Sequence, residues 1–284
     1  MSVDVEDYFQ VAAFEKQIPI EQWSDWPCRV EANTDRLLAL FEKNGVHGTF
    51  FILGWVATRY PELVRRIVSG GHEVASHGMN HVRIFNQSPE QFRVDALACK
   101  EILEDISGQK VSGYRASTYS IGPDTMWALD VLKEVGYSYS SSIYPVQHDL
   151  YGMPGASRFP FYPRDGVVPG QRGILEVPIT TTLLFKRRIP CGGGGYFRLF
   201  PLAFSRWAWR RVNSIDGEPG VFYCHPWEFD PEQPRIPNLS LKTRFRHYLN
   251  LGKMESRLQG MLSTFVWDRM DRVYSRQIAG DGEG

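Results

Sequence analysis

The sequence predicts an α/β protein built on a parallel sheet, open or closed into a barrel. Three observations carry that reading. In the first half, short apolar runs alternate with longer amphipathic segments, the order a parallel sheet requires. Helix punctuation falls between them: prolines at first turns, glycines at ends. The polar residues able to do chemistry stand at the C-terminal ends of the predicted strands, the edge where such folds place their sites.

Ser2-Val3-Asp4-Val5 reads as the first strand, followed by an aromatic loop from Tyr8 to Trp26. A helix starts near Asn33 or Thr34, either of which can cap it, and ends at Gly45. Thr49 to Leu53 is a buried strand. Pro61 opens a helix that Gly70-Gly71 stops, and Glu73 to Ser76 is the third strand. Ser88-Pro89-Glu90-Gln91 is a capping box for a helix reaching about Ile106, with Gly108 beyond it. Val111 to Arg115 is a strand, Pro123 to Val135 a helix, and Tyr137 to Ser141 another strand.

From Pro145 the alternation dissolves into Pro, Gly and aromatic residues. Ile174 to Thr181 reads as a strand carrying a proline, Cys191 to Tyr196 as a flexible glycine loop, and about Pro201 to Val212 as a helix. Val221 to Cys224 is the last clear strand, ending in His225-Pro226-Trp227-Glu228. The tail is helical, and its stripe Leu249, Leu251, Met254, Leu258, Met261 and Leu262 reads as a face docked on the barrel. Residues 280–284 read as a frayed end.

The 284 residues suffice for one large domain or two small ones, and 43% apolar content is that of an ordinary globular protein. Lys+Arg and Asp+Glu balance at 32 each, which gives no footprint for nucleic acid or a charged membrane surface. No stretch is long and apolar enough to span a bilayer, and the start lacks a basic region followed by an apolar run. That points to the cytoplasm, with envelope association as the alternative. Cys28, Cys99, Cys191 and Cys224 form no CxxC pair and read as buried free thiols of a reducing compartment.

Ser76-His77-Gly78-Met79-Asn80-His81 places two imidazoles on one turn, where they can share a divalent ion. A helix-surface pair without metal is the bland alternative. Asp4-Val5-Glu6-Asp7 offers the oxygen ligand such a site lacks. Asp4 and Glu6, two apart, point to the same side of an extended segment, so one can hold metal while the other accepts a proton. A cation and Arg115 keep both ionised. His225 competes with a satisfied core histidine, and Tyr144, Tyr196 and Trp227 are read as lining a sugar cleft against the alternative of core packing. His47, His72, His148 and His247 are assigned to structure or solvent.

Taken together, SVDVEDYF (2–9), FFILG (50–54), GGHEVASHGMNH (70–81), GYRASTYSIG (113–122), YSSSIYP (139–145) and FYCHPW (222–227) resemble the polysaccharide deacetylase superfamily, carbohydrate esterase family 4. GGGGYFR (192–198) and the tail resemble its branch found beside exosortase and exopolysaccharide loci. The resemblance implies a distorted (β/α) barrel of the NodB-homology type over residues 1–235, with a loop-rich insert at about 145–200 and a C-terminal helical extension over 236–284. It implies hydrolysis of N-acetyl groups on an oligo- or polysaccharide and a divalent metal, Zn²⁺ foremost. It casts Asp4 as base, Arg115 as the residue orienting it, Tyr119 as a backbone oxyanion donor and His225 as general acid. His77 and His81 become metal ligands. The adjacent acid pair usual in the family is replaced here by Asp-Val-Glu-Asp, so the metal carboxylate is Glu6 or Asp7, and the strand argument favours Glu6. The alternatives are an allantoinase-like hydrolase of a small amide and a non-catalytic glycan-binding scaffold.

Overall fold

The computed structural model describes residues 1–149, 151–163 and 173–280; of the fray expected at 280–284, all but Gly280 lies outside them. The first half follows the alternation: β1 (Ser2–Val5), α1 (Val30–Lys43), β2 (Thr49–Ile52), α2 (Gly54–Arg59), α3 (Pro61–Ser69), β3 (Glu73–Ser76), α4 (Pro89–Ser107), β4 (Gly113–Tyr114), α5 (Trp127–Val135) and β5 (Tyr139–Ser140). The second half adds β6 (Leu175–Glu176), β7 (Thr181–Leu184), β8 (Arg187–Pro190), α6 (Gly194–Leu199), α7 (Leu202–Arg211), β9 (Tyr223–Cys224) and the tail helices α8 (Leu241–Tyr248), α9 (Met254–Leu262), α10 (Met270–Val273) and α11 (Ser275–Ala279).

Seven strands form one wholly parallel sheet in the order β6-β5-β4-β3-β2-β1-β9. β1, β2 and β3 are buried at every position, as expected where both faces are covered. The edges β6 and β9 meet through irregular chain. Thr180 N donates to Val221 O at 3.3 Å, and Tyr223 N donates to Gly192 O at 2.7 Å. The ring thus closes without a regular ladder, which is the distortion of this (β/α) barrel. Pro178 explains why the single strand expected over 174–181 is split into β6 and β7: it has no N–H to give a ladder.

Two local expectations need correction. Helix α1 starts at Val30, ahead of Asn33, because Asp7 caps it from a distant loop: Asp7 Oδ2 accepts from Arg29 N at 2.6 Å and Val30 N at 2.9 Å. The glycine run is not a flexible loop. A Cβ on Gly192 would lie 2.5 Å from Val221 O, one on Gly193 2.7 Å from the Tyr223 ring, and one on Gly194 inside the Glu228 carboxylate. These glycines let backbone pack tightly behind β9.

The tail's Met254, Leu258, Met261 and Leu262 join the main core, while Leu251 packs with Tyr8, Phe14 and Trp227. The four cysteines are free, and Cys28 is half-buried rather than buried. Among the described residues no helix is long and apolar enough to cross a membrane.

Candidate active site

Parallel strands carry their C-terminal ends to one edge, and there Asp4 of β1, Glu6 just after it, His77 after β3, Arg115 after β4 and His225 after β9 converge. Arg115 is fully buried, a position a guanidinium tolerates only with its donors engaged. Its Nη1 donates to Asp4 Oδ1 at 2.5 Å, Nε to Ser141 O at 3.1 Å and Nη2 to Ser141 Oγ at 3.0 Å. The guanidinium also lies 4.0 Å from the centre of the Phe51 ring. One Asp4 oxygen is thereby fixed. The other lies 3.4 Å from Tyr119 Oη and 3.9 Å from His225 Nε2.

Glu6, His77 and His81 bring ligand atoms within 4.8 Å of one another. The imidazoles are not the helix-surface pair of the bland alternative. They lie on a loop where Gly78 and His81 both have positive φ, +76° and +53°, and where a Gly78 Cβ would crowd Asp95. His77 Nδ1 lies 2.8 Å from Arg115 O. That carbonyl can only accept, so Nδ1 carries the proton and Nε2 is bare. Burial, reinforced by His77 and His225, holds His81 well below the usual imidazole range, so its ring is neutral. Burial pushes Glu6 up to about 7, with Asp4 adding to the rise and His225 opposing it.

These residues fit a metal ion on one observation. His81 Nε2 approaches Glu6 Oε2 to 3.0 Å, yet without hydrogen-bond geometry, and Oε2 is a buried oxygen with no donor. A cation between oxygen and nitrogen would satisfy both. One carboxylate with two imidazoles suits zinc and leaves positions for water and substrate. Asp7 is occupied elsewhere, accepting from Tyr8 N as well as capping α1. Glu6, not Asp7, meets the imidazoles.

His225 lies between carboxylates. Its Nε2 is 3.6 Å from Glu6 Oε1, and its Nδ1 is 3.5 Å from Glu228 Oε2. Burial opposes its charged form, but Glu228, Glu6 and Asp4 outweigh burial and raise it to about 9. Glu228 is itself buried and anchored by Arg198, whose Nε donates to Oε1 at 2.9 Å. The remaining Arg198 donors reach the carbonyls of Arg246, His247 and Leu249.

Residues 22–140 match the polysaccharide deacetylase family, and residues 141–275 match a domain of unknown function, DUF3473. Its first half is thus similar to the polysaccharide deacetylases. It is 30% identical over 99 residues to a chitooligosaccharide deacetylase of Bradyrhizobium, covering 35% of this chain and 43% of that one. It is 29% identical over 113 residues to a peptidoglycan deacetylase of Helicobacter pylori, covering 40% and 38%. The chain thus spans less than half the length of these curated relatives. Two solved structures share the fold. One is a Mycobacterium smegmatis protein assigned to the polysaccharide deacetylases (TM-score 0.60, 20% identity, 99% of this chain and 89% of that one). The other is the PuuE allantoinase (TM-score 0.63, 17% identity, 100% and 90%).

Within this polysaccharide deacetylase fold, three expected contacts are placed differently. Tyr119 N donates to Ala116 O at 3.1 Å, so it is not free to hold an oxyanion; the phenol reaches the site instead. Tyr144 is fully buried against Tyr119, Tyr151 and Tyr223. Trp227 is buried too, stacked between His225 and His247 at 5.1 and 4.2 Å, and its indole donates to Glu6 Oε1 at 3.3 Å. Neither ring can be an open sugar platform. Tyr196 is half-buried against Phe200. Glu228 and Arg198 were missed by the sequence reading. His225-Pro226-Trp227-Glu228 has capping-box spacing, and His225 N donates to Glu228 Oε2 at 3.1 Å, which is the signal that could have found Glu228.

Proposed function

We propose that this protein is a metal-dependent N-deacetylase of an amino-sugar polysaccharide, the glycan being one of the cell envelope or an exported chain. The observation that supports it best is the donorless Glu6 Oε2 facing His81 Nε2, beside the Asp4–Arg115 pair and His225. Glu6, His77 and His81 would hold the ion, zinc foremost. When bound, a divalent ion supplies Lewis-acid polarisation and acidifies water.

Asp4, oriented by Arg115, accepts a proton from the attacking water through its second oxygen. The water oxygen bonds to the acetyl carbon, and the carbonyl oxygen takes up the negative charge. The Tyr119 phenol, 3.4 Å from Asp4 Oδ2, steadies the base. His225, protonated at neutral pH, gives its Nε2 proton to the nitrogen as the C–N bond breaks, releasing acetate and a free amine. Glu228 supports the charged ring before that transfer. A small cleft bordering His81 has an apolar wall of Phe9, Val11, Ile18 and Trp23 beside polar Glu15, Asn80, Arg83 and Asn86, and that wall can seat the acetyl methyl.

Acetate release from N-acetylated chitooligosaccharides and peptidoglycan fragments, measured with zinc and after chelation, tests this. Zinc-dependent release is expected. A folded, zinc-loaded protein inert on every glycan would overturn the reading, as would turnover of a small cyclic amide by chelated protein alone.

A further inference from the structure

The hairpin β7–β8 stands apart from the parallel sheet as a separate two-stranded ribbon. Leu184 pairs with Arg187, so its loop is only Phe185-Lys186. Both residues lie in the left-handed region, at φ +48° and +63°. A two-residue turn of this kind is normally Asn-Gly or Asp-Gly, because side chains with bulk at Cβ resist positive φ. Here the first place is held by phenylalanine, and its side chain is 91% exposed. The tip therefore accepts backbone strain and an exposed ring where neither contributes to the packing of the fold.

The flanking charge is of one sign. Lys186 and Arg187 are exposed, and among the described residues neither pairs with a carboxylate. Arg188 turns back and donates to Ala156 O at 2.6 Å. An aromatic wedge beside unpaired cations suits a surface that is apolar within and anionic at its face. We propose that this tip docks the protein on an anionic lipid bilayer, Phe185 entering the interfacial layer and Lys186 and Arg187 meeting headgroup phosphates.

A protein partner fits less well: a two-residue tip offers a small part of the roughly 800 Å² per side that a stable protein interface buries. A fluid bilayer can close around a single ring. With two cations and one ring, the docking is reversible and salt-sensitive. The proposal does not depend on the deacetylase reading.

Flotation of the full chain with vesicles tests it, using phosphatidylcholine alone and an equal mixture with phosphatidylglycerol. Wild type is expected to float with the mixed vesicles at low salt, not with the neutral ones, and to be released by high salt. K186E/R187E should lower partition by fivefold or more for each charge, at about fivefold per basic residue. F185N should lower it roughly tenfold, while its melting temperature holds or rises, because asparagine accepts positive φ. That pairing of better folding with lost binding is what a merely structural tip would not give. Absence of flotation on mixed vesicles, equal flotation on neutral ones, or undiminished flotation of F185N would overturn the proposal. So would retention on an acidic polysaccharide without vesicle binding.

Discussion

Two buried glutamates sit at opposite ends of one barrel, and their surroundings differ. Glu73, at the start of β3, has both oxygens engaged: Tyr139 Oη donates to Oε1 at 2.9 Å, and Thr49 Oγ1 and Asp271 N donate to Oε2 at 2.5 and 3.2 Å. Glu6, after β1, receives one indole N–H, and its second oxygen has no donor. Burial pushes both up to about 7. The shift alone therefore does not separate a structural acid from a site acid. What sets Glu6 apart is the oxygen that receives no donor, and the imidazoles of His77 and His81 gathered within ligand distance of it.

The largest effect should come from the site end, at Asp4. D4N keeps the Arg115 contact but cannot take a proton, and kcat should fall about a thousandfold in a folded protein; acetate-release kinetics check this. E6Q should weaken zinc binding more than about a hundredfold by titration calorimetry, beyond the loss caused by removing an outer partner. It should also erase the stabilisation of about 2.7 kcal/mol that zinc at a hundred times its Kd confers. E73Q should leave both properties intact, and zinc affinity in E73Q equal to that of E6Q would break the contrast.

E228Q should lower kcat by about ten- to a hundredfold, as an outer partner does. Glu228 contributes to the raised pKa of His225, so its loss should move the alkaline limb of the pH–rate profile to lower pH. An unmoved limb would remove Glu228 from the chemistry. The smallest effect should be at Glu73. Its folded pKa is above the ordinary 4.5, so the folded state holds the proton more tightly than the unfolded state between pH 4.5 and about 7. Stability should decline as pH rises through that window and level off above it. E73Q should flatten the decline, read from urea midpoints at several pH values.

Much of the barrel was legible because its signals are local. β3 ends where the apolar run ends, and Ser88 with Gln91 forms the capping box its spacing announces. The shared edge of Asp4, Glu6, His77, Arg115 and His225 followed from parallel strands alone. What stayed hidden depends on partners far along the chain. Asp7 caps a helix more than twenty residues away, so α1 was begun too late. Trp227 and Tyr144 are the residue types that line sugar clefts, and only packing shows them enclosed. The glycines at 192–194 look loose in sequence because the groups pressing on them come from 221–228.

Arg198 carries a consequence for how this chain can be shortened. Its guanidinium ties the carboxylate behind His225 to the carbonyls of residues 246–249. A truncation at residue 240 would keep Asp4, Glu6, His77, His81, Arg115 and His225. It would also strand a buried cation whose acceptors had been cut away, and Glu228, behind His225, would lose its footing.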